Sequence, residues 1–171
     1  MTGPVRLRPH IAVAGGSSTS PEEDALAEAV GRAVAEGGGV VVCGGLGGAM
    51  EAACRGAKQA GGITVGILPG IDGTEANAYV DVVVPTGLGE ARNALVVRSA
   101  DALVAVAGEF GTLSEIALAL RAGIPVVGLR TWELRRDGLE VDALVRADSP
   151  GEAAAAALAL ARAGHRSPRA R

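Results

Sequence analysis

The run Ala102-Leu103-Val104-Ala105-Val106-Ala107, followed directly by Gly108-Glu109-Phe110-Gly111-Thr112-Leu113-Ser114-Glu115, decides the fold of this chain. Unbroken small and branched apolar residues read as a strand buried on both faces. The glycines after it make a tight turn, and Thr112 opens a helix carrying Glu115 in its first turn. Backbone N–H groups at such a helix start lack intrahelical partners and attract phosphate. A second apolar run, Val40-Val41-Val42-Cys43, feeds Gly44-Gly45-Leu46-Gly47-Gly48-Ala49-Met50 in the same way. Two phosphate-type turns on one small chain point to a phosphorylated, nucleotide-like ligand.

Outward from these turns the chain alternates between strands and helices. A strand at 10–14 ends in Gly15-Gly16-Ser17-Ser18. A helix follows from Pro21, with Ser20 and Glu23 forming a capping box. Its apolar positions Leu26, Ala29, Val30, Ala33 and Val34 recur at helical spacing. Further helices are expected at 48–60, 90–99, 112–122 and from Ser149 to 163, and further strands at 63–68, 80–84, 125–129 and near 139–145. The polar stretch 71–78 reads as a loop. This order predicts an α/β fold, a doubly wound, mostly parallel sheet with helices on both faces. Ligands bind such sheets beyond the carboxyl ends of the strands, where the turns at 15–16, 44–48 and 108–111 fall. The expected layout is a flexible N-terminus at 1–8, one Rossmann-like ligand-binding domain at 9–164 and a basic tail at 165–171.

Composition narrows the function classes. The 171 residues suffice for one domain with a core, and 49% of them are apolar. Only Trp132, Tyr79 and Phe110 are aromatic, so the core must be built from Val, Leu, Ile and Ala. A net charge of −3 and so few aromatics argue against nucleic acid as a partner, and against a DNA-handling protein. Cys43 and Cys54 lack metal or CxxC spacing and read as reduced thiols, and no apolar leader or membrane-length run is seen. The expectation is a cytoplasmic protein with no membrane partner. His10 and His165 have no companions at ligand spacing, so no metal site is expected.

Thr112-x-x-Glu115 has two readings. It matches a capping box, as do Ser20-x-x-Glu23 and Ser149-x-x-Glu152, but it alone follows a strand through a short Gly turn. Arg92 lies in the first turn of its expected helix, where the dipole disfavours a cation. An anionic ligand or a carboxylate partner explains it better than chance, with a solvated surface Arg as the alternative. The helix 113–122 is apolar nearly all round, which predicts a second subunit covering it and a homodimer with Arg92 and Glu115 near the interface.

Together these residues resemble the LOG-like ("Lonely Guy") superfamily, once labelled lysine decarboxylases. The family pattern P-G-G-x-G-T-x-x-E aligns with Ala107 to Glu115, keeping Gly108, Gly111, Thr112 and Glu115. The pattern G-G-x-x-G-x-M aligns with Gly44, Gly45, Gly48 and Met50, and the family's Arg-Lys pair with Arg92-Asn93. Active members cleave nucleoside 5′-monophosphates at the N-glycosidic bond. The resemblance therefore implies a phosphoribohydrolase with Arg92 and Glu115 as catalytic residues. Phosphate and ligand contacts would come from Gly15, Gly16, Ser17, Gly44, Gly45, Gly48, Met50, Asn93, Gly108, Gly111 and Thr112. It implies a homo-oligomer, dimer or tetramer, and no required cofactor.

Three positions depart from the pattern: Ala107 replaces Pro, Glu109 replaces the second Gly, and Asn93 replaces Lys. The string Gly89-Glu90-Ala91-Arg92-Asn93 is more similar to a side branch that includes molybdenum-cofactor carrier proteins. That branch implies the alternative: a non-catalytic carrier or sensor of a phosphorylated pterin or nucleotide, with molybdenum cofactor as bound cargo.

Overall fold

The structure is a computed structural model and describes residues 8–164. The expectations for 165–171, and for all but Arg8 of the N-terminal segment, lie outside the described residues.

Seven strands form one sheet in the order β4-β3-β2-β1-β5-β6-β9, and every neighbouring pair is parallel. These are β1 (His10–Ala14), β2 (Val40–Cys43), β3 (Ile63–Leu68), β4 (Val82–Pro85), β5 (Ala102–Val106), β6 (Val126–Leu129) and β9 (Val145–Ala147). A separate two-stranded ribbon pairs β7 (Arg135–Arg136) with β8 (Leu139–Glu140). The helices are α1 (Pro21–Glu36), α2 (Ala49–Gln59), α3 (Asn93–Arg98), α4 (Phe110–Arg121) and α5 (Pro150–Gly164).

Period-2 alternation divides the central strands between two cores. Ile11, Val13, Val41, Val104 and Val106 point to the side covered by α1, α2 and α5. Ala12, Ala14, Val42, Leu103 and Ala105 point to the other side, where Val96, Val97, Ile116 and Ala119 of α3 and α4 cover them. The helices can lie close because their contacts are small: Gly31 faces the backbone of Ala53 and Gly56 that of Glu28, leaving no room for a Cβ.

The chain winds outward from β1 through β2 and β3 on one side, and from β5 through β6 on the other. The loops leaving β1 and β5 therefore diverge, and a crevice opens between them.

Several boundaries move from their sequence-based positions. The strand expected at 80–84 starts at Val82, because the Val80 N–H turns back to the Asn77 carbonyl. The strand expected near 139–145 is divided between the ribbon and β9. The helix expected at 90–99 is a 3-10 turn over Gly89–Arg92 followed by the short α3. Arg92 is thus the residue before α3 rather than part of its first turn. The Ser20–Glu23 capping box is present in both directions. At α5 the Glu152 N–H donates to the Ser149 hydroxyl, while the Glu152 carboxylate accepts from Asp148.

Candidate functional site

The segments beyond β1, β2, β3, β4 and β5 enclose a pocket of ≈ 520 Å³. Gly15, Gly16 and Ser17 form one wall, and the first turns of α4 also line the pocket. Gly15 keeps that wall thin, since a Cβ there would run into the side chain of Ala49.

Thr112 does not open its helix. α4 begins two residues earlier, its N-cap is Glu109, and no side chain caps it. The Thr112 hydroxyl is buried and has no hydrogen-bond partner. The capping-box reading of Thr112-x-x-Glu115 is therefore wrong, whereas Ser20 and Ser149 do cap. An uncapped helix start with a buried, unpaired hydroxyl in its first turn costs stability unless something else satisfies it.

Four polar or charged residues are buried among those described: Thr64, Arg92, Thr112 and Glu115. The last three line the pocket. Arg92 lies over the turn after β2; a Cβ on Gly44 would sit 2.6 Å from its Nη1, so only glycine leaves room for the guanidinium. Nη1 donates to the Asn93 Oδ1 at 2.6 Å, and Nε is buried without a partner. Asn93, where the family pattern has Lys, thus holds the guanidinium in place instead of adding a second cation.

Burial pushes the Glu115 carboxyl up to about 7, and the attraction of Arg92 only partly opposes this. Burial also lowers the pKa of Arg92, with Glu115 and Cys43 acting in the opposite sense. The two charges feel each other without forming an ion pair within 4.0 Å. Both are held in a costly environment that a ligand could relieve.

Of the sequence-selected residues, Arg92, Glu115, Gly15, Gly16, Ser17, Met50, Asn93, Gly111 and Thr112 meet at this pocket. Gly44, Gly45, Gly48 and Gly108 do not line it and act from behind. Gly48 (φ +64°) brings the turn before α2 against the backbone of Gly16 and Ser17. Gly108 (φ +96°) lies so close to Thr112 that a side chain would displace it. Sequence reasoning singled out neither Leu46, Pro69 and Ser114 nor the Glu90 side chain. Phe110 also lines the pocket and lies inside the deciding stretch, where an aromatic residue in so aromatic-poor a chain was the available signal.

The departures from the family pattern have physical counterparts. Ala107 has φ +45°, a value the proline ring forbids. The Thr131 hydroxyl donates to its carbonyl at 2.6 Å, and its own N–H donates to Leu129. Glu109 is exposed at the pocket rim, and its carbonyl accepts from the Trp132 indole at 3.3 Å.

No group of three or more His, Cys, Asp or Glu among the described residues is placed to hold a metal ion. The Cys43 and Cys54 sulfurs lie 3.4 Å apart, buried and not joined as a disulfide. No helix among these residues is long and apolar enough to cross a membrane.

A parallel sheet with its switch-point crevice lined by a buried Arg, a buried Glu and an uncapped helix start defines a Rossmann-like α/β protein with a candidate site at the position where such sheets take ligands. The chain belongs to the SLOG cluster4 family, whose model matches residues 8–154. It is similar to the molybdenum cofactor binding protein of Rippkaea orientalis, with 36% identity, a TM-score of 0.78, and coverage of 86% of this chain and 93% of that one. It is also similar to the molybdenum cofactor carrier protein of Chlamydomonas reinhardtii, with 35% identity, a TM-score of 0.78, and coverage of 90% and 98%. An uncharacterised protein of Archaeoglobus fulgidus is 44% identical over 120 residues, 70% of this chain and 79% of that one. DNA processing protein A of Streptococcus pneumoniae shares the fold at 22% identity and a TM-score of 0.68.

Proposed function

We propose that this protein is a carrier that binds a phosphorylated pterin of the molybdenum-cofactor type in the switch-point pocket, without cleaving it. The observation that carries this reading is that Arg92 and Thr112, each with a buried, unpartnered polar atom, line one pocket together with an uncapped helix start. A phosphate would accept from the free N–H groups of α4, gain from the helix dipole and be attracted by the Arg92 guanidinium. The likeness to two molybdenum-cofactor proteins supports a pterin as the rest of the ligand.

Recognition falls on the phosphate and ring rather than on the metal, since the lining holds neither Cys nor His. The raised pKa of Glu115 bears on its use as an ionised carboxylate in hydrolysis. Cleavage of an N-glycosidic bond develops positive charge on the ribose, and an ionised carboxylate stabilises it. With its pKa already near 7, Glu115 would be pushed higher still by a phosphate dianion alongside. In its protonated form it can donate a hydrogen bond to a ring or phosphate oxygen. Arg92 would hold the phosphate, with Asn93 fixing the guanidinium plane.

Titration calorimetry with purified molybdenum cofactor or its metal-free pterin phosphate tests this, alongside incubation with nucleoside 5′-monophosphates. Binding of the pterin phosphate without release of free base from any nucleotide is the expected result. Base release that disappears in Glu115→Ala would replace this reading by the phosphoribohydrolase one.

A further inference from the structure

Two of the three aromatic residues of the chain stand together at the pocket. Phe110 is the first residue of α4, lines the pocket, and is 78% exposed. Trp132 packs on it with ring centroids 5.7 Å apart and planes at 37°. The Trp132 indole is tied to the Glu109 carbonyl, the residue before Phe110, so the pair is braced rather than loose. A chain that builds its core from aliphatic residues, yet leaves a phenylalanine in water at the mouth of its pocket, has placed it where burial must come from elsewhere.

Building on the carrier reading, we infer that Phe110, braced by Trp132, is the platform on which the planar heteroaromatic ring of the ligand stacks. Its position supports this. The free N–H groups that open α4 begin at Phe110 itself, so a phosphate held there lies next to the Phe110 ring. The open face of Phe110 takes a flat π-system by offset stacking, and the apolar side chains of Leu46 and Met50 line the same pocket. Discrimination is then divided: the α4 start and Arg92 select the phosphate, and Phe110 selects a ring over a bare sugar phosphate.

Calorimetry with 6-hydroxymethylpterin monophosphate and with ribose 5-phosphate, on the intact protein and on Phe110→Ala and Phe110→Trp, tests the inference. Phe110→Ala is expected to weaken the pterin phosphate about tenfold and leave ribose 5-phosphate unchanged, while Phe110→Trp restores the pterin affinity. Equal weakening of both ligands, or no weakening of either, overturns the stacking role. If the unaltered protein binds both phosphates with the same affinity, phosphate capture stands and the platform falls. If it binds neither, the carrier reading falls with it. A Phe110→Ala protein that sediments as a smaller species with unaltered pterin affinity would assign Phe110 to a contact between copies of the chain, and overturn the inference.

Discussion

Replacing Glu115 by Gln should make the protein more stable at neutral and alkaline pH. The carboxyl has an ordinary value of 4.5 and is raised to about 7 by burial in the folded chain. Between these values the native state binds more protons than the unfolded one, so stability falls as pH rises through this window and levels off above it. At about 1.4 kcal/mol per pH unit, the penalty above pH 8 is about 3 kcal/mol. It is absent below pH 4.5, where both states carry the proton. Glutamine keeps the shape of the neutral acid without titrating. Other groups titrate equally in both proteins, so subtracting the two urea-unfolding profiles isolates Glu115. The difference should be near zero at pH 4.5 and reach about 3 kcal/mol in favour of Glu115→Gln by pH 8. Parallel profiles would refute the burial argument, and a variant less stable at pH 8 would show that the Arg92 attraction outweighs desolvation. A stability cost at this position is what a binding site held ready for its ligand implies.

The remaining predictions concern neighbouring groups. Thr112→Val removes a hydroxyl with no partner, so stability should hold within about 1 kcal/mol while phosphate affinity in calorimetry falls about tenfold; a loss of stability with unchanged affinity would mark a structural hydroxyl. Arg92→Lys should bind the pterin phosphate almost as weakly as Arg92→Ala, because a point charge cannot reproduce the planar guanidinium held by Asn93. Gly44→Ala should displace Arg92 and lower both affinity and melting temperature; an unchanged affinity would show that the guanidinium can move without consequence. Ser20→Ala should cost about 1 kcal/mol in denaturant unfolding and leave binding untouched, because its capping box lies outside the site.

Much of this architecture is determined by the sequence. The apolar runs at 10–14, 40–43, 63–68 and 102–107, each closed by glycine or proline, dictate strands buried on both faces and hence a parallel sheet. The Ser20 box is equally legible, because capping is a local interaction between residues three apart. Arg92 and Glu115 stood out through residue type and resemblance. Local pattern failed where distant atoms decide. Thr112 has the spacing of a cap, yet α4 starts at Phe110 because the turn after β5 is tied to Leu129, Thr131 and Trp132 on the β6 side. The fit of the Arg92 guanidinium over Gly44 joins residues 48 positions apart, and no periodicity reports such an approach. Burial is likewise a property of the assembled layers. It alone raises Glu115, leaves Thr112 and Arg92 with unmet hydrogen bonds, and turns ordinary polar residues into a charged, unsatisfied pocket.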